Sequence, residues 1–142
     1  MMISTRGRYA LRVLIDLAEH TDCGFIPMKE IAERQGISLK YLGQIIPVLS
    51  KNGFVEAVHG KGGGYRLLKS PAECRIGDIL RLTEGDLAPV SCLECGAKPC
   101  EMAFECRTYP IWTEFYRIVT DYFDGITLAD VIKIDTSDNY SI

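Results

Sequence analysis

The chain has 142 residues, 47% of them hydrophobic and 25% charged, with a formal net charge of −3. That length and balance describe one globular domain, or one with an appendage, and no apolar run approaches the ~18 residues a membrane span needs. The first twenty residues carry charges throughout and lack the apolar stretch of a secretory leader, so cytoplasmic placement is expected. In that compartment cysteines serve as ligands or sensors more often than as disulfides.

The net charge conceals an asymmetry. From Met1 to Lys69 ten basic residues stand against six acidic ones, whereas from Ser70 to Ile142 six basic residues stand against thirteen acidic. A basic front half suits a polyanion, and the acidic back half needs another role.

Ser4 or Thr5 caps a first helix whose apolar positions Ala10, Val13, Leu14, Leu17 and Ala18 recur at helical spacing. It should end between His20 and Gly24. A second helix is expected from Pro27, as its first residue, through Met28, Ile31 and Ala32 to Gln35, with Gly36 as its stop. Two helices joined by a Gly-Ile-Ser turn form a helix-turn-helix pattern.

The third helix, capped by Ser38 and running from Leu39 to about Asn52, buries Leu42, Ile45, Ile46 and Leu49. Its opposite stripe is Lys40, Gly43, Gln44, Pro47 and Lys51. Pro47 is expected to bend the helix after two turns. A small, basic, amide-bearing stripe matches a surface laid in a DNA major groove. Gln44 has the geometry to read a base edge, and Lys40 and Lys51 to take phosphates. A merely solvated face would also be polar.

Next, Phe54 to His59 and Tyr65 to Lys69 are β-prone runs joined by Gly60-Lys61-Gly62-Gly63-Gly64, which reads as a hairpin. Neither the phosphate loop of nucleotide hydrolases nor the dinucleotide fingerprint is present, because Gly62 follows Lys61 and Tyr65 stands where a glycine is required. A hairpin tipped by Lys61 and flanked by His59 and Arg66 suits a minor groove and its phosphates. The expected fold is therefore mainly α with a small β-hairpin wing: a winged helix-turn-helix followed by a long dimerisation helix. Candidate DNA contacts are Thr5, Arg6, Ser38, Lys40, Tyr41, Gln44, Lys51, His59 and Lys61.

In the acidic half, Ile76 to Glu84 reads as a short helix. Cys23 and Cys74 stand apart and are expected to be packing residues or spare thiols. The other four cysteines, Cys92, Cys95, Cys100 and Cys106, fall at C-x2-C-x4-C-x5-C spacing. Thiolates so close together select zinc, copper(I) or an iron-sulfur cluster over hard cations. After them Trp112, Phe115, Val119, Tyr122 and Ile126 are spaced 3, 4, 3, 4, a coiled-coil seam of about two heptads. Apolar Ile111, Tyr116 and Ile118 widen it, which implies a second copy of the chain as partner, giving a homodimer. Thr127 to Asp130 has the form of a capping box opening a last short helix. The expected organisation is residues 1–84 for DNA, residues 85–107 for the cysteine loop, and residues 108–142 for the dimerisation helix and tail.

An enzyme is not expected. His20 and His59 are the only histidines, and neither a Ser/His/Asp set nor a carboxylate-histidine metal triad is discernible.

The segments YALRVLIDLAEH, IAERQGISLKYLGQII, NGFVEAVHGKGGGYRLLKSP, PVSC and ITLADVI resemble, in collinear order, the IscR, NsrR and CymR regulators of the Rrf2 family. The resemblance implies a homodimeric winged-helix transcription factor, in many members carrying an iron-sulfur cluster on three cysteines of one loop. Carried onto this chain, those ligands are Cys92, Cys100 and Cys106. The fourth position is open among Cys95, Glu94 and Tyr109, because the family's usual fourth ligands are replaced here by Tyr109 and Arg8. The implied cofactor is an iron-sulfur cluster of the 2Fe-2S type, with a 4Fe-4S cluster or zinc as alternatives. The implied function is control of operator DNA, with iron-sulfur cluster biogenesis genes as the family's commonest target. Two other readings stand beside it: a winged-helix regulator with structural zinc on all four thiolates, and a regulator of cysteine metabolism controlled by thiols or a partner protein.

Overall fold

The computed structural model describes residues 2–98 and 104–134, and Cys100 lies outside them. The helices are α1 (Thr5–Glu19), α2 (Met28–Gln35), α3 (Leu39–Lys51), α4 (Ile76–Glu84), α5 (Tyr109–Asp124) and α6 (Leu128–Ile132). A two-stranded antiparallel sheet, β1 (Val55–Val58) and β2 (Gly64–Leu67), stands between α3 and α4. This is the mainly helical, winged architecture expected. No helix among the described residues is long and apolar enough to cross a membrane.

Local chemistry starts and stops the first three helices. The Ser4 hydroxyl accepts the Gly7 N–H at 3.1 Å, and the Ser38 hydroxyl accepts that of Tyr41 at the same distance, each satisfying an otherwise orphaned donor. Pro27 sits one residue earlier than expected, at the cap of α2 rather than inside it, with extended backbone (φ −60°, ψ 143°). Gly36 ends α2 in the left-handed region, where its lack of a Cβ removes the steric penalty. Pro47 does not end α3, which continues past it to Lys51.

The buried face of α1 carries Ala10, Val13, Leu14, Leu17 and Ala18, and that of α3 carries Leu42, Ile45, Ile46 and Leu49. They share one core with Ile31, Ile79, Leu80, Leu87 and Leu128. Each Val, Leu or Ile side chain so removed from water contributes about 1.5–3 kcal/mol. Cys74 is fully buried within this core, while Cys23 is exposed.

Two tertiary relationships were invisible to sequence periodicity. Asp16 of α1 is 1% exposed, yet Arg34 holds it in a bidentate pair at 2.9 and 2.7 Å and Gln35 donates to it at 3.0 Å. This network clamps the end of α2 onto α1. The chain also returns to its beginning. Leu128 is fully buried, its N–H donates to the Cys74 carbonyl at 2.9 Å, and the Ile76 N–H donates to Ile126 at 2.9 Å. The last helix thus closes the core formed by the first four.

The wing is fixed at its root. Val55 pairs with Leu67 and Val58 with Gly64. Tyr65 and Ile26 exchange both backbone hydrogen bonds at 2.8 Å, so the segment ahead of α2 pairs with β2. A side chain at Gly64 would meet the Ile26 carbonyl at 2.5 Å, which is why this approach requires glycine.

Candidate functional site

The outward face of α3 presents Lys40, Gly43, Gln44, Pro47 and Lys51, all exposed, together with Leu39 at its first turn. Tyr41 is half-buried, its ring edge-on to Tyr9 with centroids 5.2 Å apart, so α1 holds it in place. At the wing tip His59 and Lys61 are exposed, as are Thr5 and Arg6 at the start of α1. Arg8 donates to the Thr5 hydroxyl at 2.9 Å. By contrast, Arg66 on β2 is paired with Glu56 at 2.9 Å and lies over the Phe25 ring at 4.4 Å. Its charge is therefore partly spent within the wing, whereas Lys40, Lys51 and Lys61 make no ion pair with another described residue.

The cysteine loop begins where α4 stops at Gly85. Asp86 organises it. One carboxylate oxygen accepts the Ala88 N–H at 2.8 Å and the Tyr116 hydroxyl at 2.9 Å; the other accepts the Cys95 N–H at 2.7 Å. The Cys95 N–H above all, then the Tyr116 hydroxyl and the Ala88 N–H, hold this carboxyl below the usual range despite the opposing effect of burial. Burial and the neighbouring Asp86 carboxylate push the Tyr116 phenol up. Sequence reading missed Asp86 altogether and counted Tyr116 only as part of an apolar face.

Cys92 is half-buried and Cys95 exposed, while Cys106 lies half-buried just ahead of α5. The Cys106 sulfur is 3.3 Å from the Thr108 hydroxyl. Hydrogen bonds from the Thr108 side chain and backbone, and then from the Tyr109 backbone, lower its thiol below the ordinary value. All three are free thiols. Among the described residues no three Cys, His, Asp or Glu side chains converge on one point. The donor set nevertheless fits a soft metal centre in kind: reduced cysteines, one of them biased toward thiolate, flank the segment that carries Cys100. Glu94 is exposed and Tyr109 half-buried at the first position of α5. A cavity of about 440 Å³ lies beside the loop, lined by Arg81, Gly85, Asp86, Cys95 and Tyr116.

From the loop the chain enters α5, of which no residue is buried. Arg81 of α4 grips Asp124 near its far end at 2.8 and 2.9 Å. Ile111, Trp112, Phe115, Ile118 and Tyr122 are exposed, Tyr122 to 63%. Val119 is half-buried, and Ile126 packs against the core. The outward apolar seam therefore runs Ile111, Phe115, Ile118, Tyr122, spaced 4, 3, 4, with Trp112 beside it.

The last residue of α4 joins the loop to the first helix. Glu84 accepts from both the backbone N–H and the hydroxyl of Ser4, at 3.0 and 2.7 Å. The residues on either side of Gly85 thus hold the cap of α1 and the cysteine loop respectively.

Comparison with known proteins agrees with this arrangement. Residues 3–134 match the family model Rrf2, described as an iron-dependent transcriptional regulator. The chain is 36% identical over 133 residues to the HTH-type transcriptional regulator IscR of Pectobacterium carotovorum subsp. carotovorum (strain PC1), covering 94% of this chain and 80% of that protein. The solved structure of T. potens IscR superposes with a TM-score of 0.74 at 37% identity, over 94% of this chain and 87% of that one. CymR, the global cysteine regulator of B. subtilis, superposes with a TM-score of 0.79 at 32% identity, over 95% and 99%. The chain is a member of the Rrf2 family of winged-helix transcriptional regulators.

Proposed function

We propose that this protein is a cytoplasmic, homodimeric regulator of the IscR type that binds operator DNA under the control of an iron-sulfur cluster in its cysteine loop. Iron-sulfur cluster biogenesis genes are the proposed target. Cys92, Cys100 and Cys106 would hold the cluster, with the fourth ligand from Cys95, Glu94 or Tyr109. When bound, a cluster of the 2Fe-2S type supplies a thiolate-linked centre that oxygen, nitric oxide or iron scarcity removes.

The observation that carries this reading is the position of the free thiols. They lie between Asp86, two residues from the Glu84 carboxylate that holds the cap of α1, and the first turn of α5. Ordering of the loop is thereby linked to both the DNA-facing end of α1 and the helix of the dimer seam.

On DNA, the Gln44 amide reads an adenine edge, and Lys40, Lys51 and Lys61 take phosphates. Thr5, Arg6, Ser38, Tyr41 and His59 position the backbone. Pairing of the α5 seam with the same seam of a second copy would present two α3 helices about 34–36 Å apart to a palindromic site. The likeness to CymR supports a second reading, a thiol- or partner-controlled regulator of cysteine metabolism.

The test is an absorption spectrum with iron, sulfide and zinc analysis on protein purified without oxygen. Brown protein with matched iron and sulfide, losing its colour in a folded Cys100→Ala variant, is the expected result. Colourless protein with one zinc per chain would make the loop a structural zinc site. Protein with neither, even after reconstitution, would favour the thiol or partner reading.

A further inference from the structure

Leu39, Gly43 and Pro47 follow one another at i, i+4 and i+8, so they form a single row along the exposed side of α3. Nothing among the described residues explains this row. Leu39 is 52% exposed, although it opens a helix whose other large aliphatics are buried or half-buried. A side chain added at Gly43 would meet no atom of the described residues within 4 Å, so their packing has no need of glycine there. Glycine and proline are also the two residues that most weaken a helix interior, and both stand in this row. A merely solvated face would favour Lys, Glu or Ala at these positions. One exposed leucine is unremarkable. An exposed leucine aligned with two helix-weakening residues indicates a surface shaped for something outside the chain.

The surrounding charge identifies the occupant. Lys40 and Gln44 lie immediately beside the row and Lys51 beyond its end, all exposed, which suits a phosphate-walled groove. Within the major groove one base presents an apolar group, the C5-methyl of thymine, whose natural partner is an apolar side chain. We propose that Leu39 and Pro47 are specificity-determining residues that contact thymine methyl groups, and that Gly43 is bare so the bases can approach between them. The inference rests on α3 being the recognition helix, and it adds a thymine requirement to the amide and phosphate contacts already assigned.

The experiment uses full-length protein purified without oxygen. A random duplex pool is enriched for binding, and affinity for the recovered duplex is measured by fluorescence anisotropy. Each thymine is then replaced singly by deoxyuridine, which removes the methyl and leaves every hydrogen-bonding group. The expected result is a loss of about four-fold at one or more thymines of each half-site, the worth of one buried methyl. That loss should disappear in Leu39→Ala or Pro47→Ala. Gly43→Ala should raise the melting temperature while lowering affinity, an opposition that a purely structural glycine would not show. Insensitivity to deoxyuridine at every thymine overturns the inference, as does full sensitivity retained in both variants. Lys40→Ala separates the two levels. If it leaves binding of the recovered duplex unchanged, the recognition-helix assignment fails and this inference with it. If it weakens binding while deoxyuridine has no effect, only the methyl contact is refuted.

Discussion

The Glu84 carboxylate and Ser4 lie 80 residues apart in sequence, yet one Glu84 oxygen accepts from both the Ser4 N–H and its hydroxyl. Ser4 in turn caps α1 through Gly7. Glu84→Ala therefore removes the acceptor of two charge-assisted hydrogen bonds, each worth about 1.5–3 kcal/mol. Faster amide exchange confined to the first turn of α1 is expected, with weaker DNA binding if the proposed contacts at Thr5 and Arg6 are made. Unchanged exchange at Ser4 to Gly7 would show that the contact does not order this end.

Asp86→Asn tests the latch of the cysteine loop. Both oxygens of the native carboxylate accept, so an amide must turn an N–H toward the Cys95 N–H or toward the Tyr116 and Ala88 donors. Losing about 1.4 kcal/mol corresponds to tenfold faster exchange of the Cys95 amide. Circular dichroism should be unaltered, because the Asp86 side chain caps neither α4 nor α5. Tyr116→Phe, which removes only one of the three donors, should have a smaller effect.

The buried Asp16–Arg34 pair should control acid stability. Burial raises the Asp16 carboxyl, but the hydrogen bonds from Arg34 and Gln35 and the charges of Arg34 and His20 outweigh it, leaving the group below its ordinary value of 3.8. A depressed folded-state value means that its contribution is complete above about pH 4 and lost as pH falls through the lower folded value. Asp124, lowered chiefly by Arg81, acts in the same direction. Arg34→Ala should cost about 3 kcal/mol at pH 7 by leaving a buried charge unpaired. Urea denaturation from pH 7 down to pH 3 would check both size and sign, and the variant should lose less on acidification.

Charge placed on the outward seam of α5 should separate the proposed dimer without unfolding the chain. Ile118 is 52% exposed within the chain, so Ile118→Lys disturbs little intramolecular packing. A central interface residue worth about 2 kcal/mol predicts roughly thirty-fold weaker association, read by sedimentation. An unchanged dimer would place the interface elsewhere.

What could be read from sequence is what neighbouring residues determine. The caps of α1 and α3, the stop at Gly36, the hairpin and the Thr127–Asp130 capping box all depend on groups within a few positions of one another, and all are present. The cysteine spacing was equally plain, since it is a property of the string itself. Pro27 was placed one residue too late, because the cap and first-turn positions both accept proline's fixed φ.

What required the tertiary structure is whatever joins distant segments. Asp86 gives no sign in sequence that it ties Cys95 to Tyr116, nor Glu84 that it holds Ser4, because a carboxylate's partners are set by where the backbone carries it. The outward seam of α5 could not be phased from periodicity either: the helix is apolar on two sides, and only its packing on the rest of the fold decided that Ile118 faces out while Phe123 meets the core, with Ile126 lying beyond the end of the helix. The sequence alone determined the helices, the wing and the supply of thiols, whose rules act over one or two turns of chain. The connections among them belong to the folded structure, because they are made by groups that local rules cannot bring together.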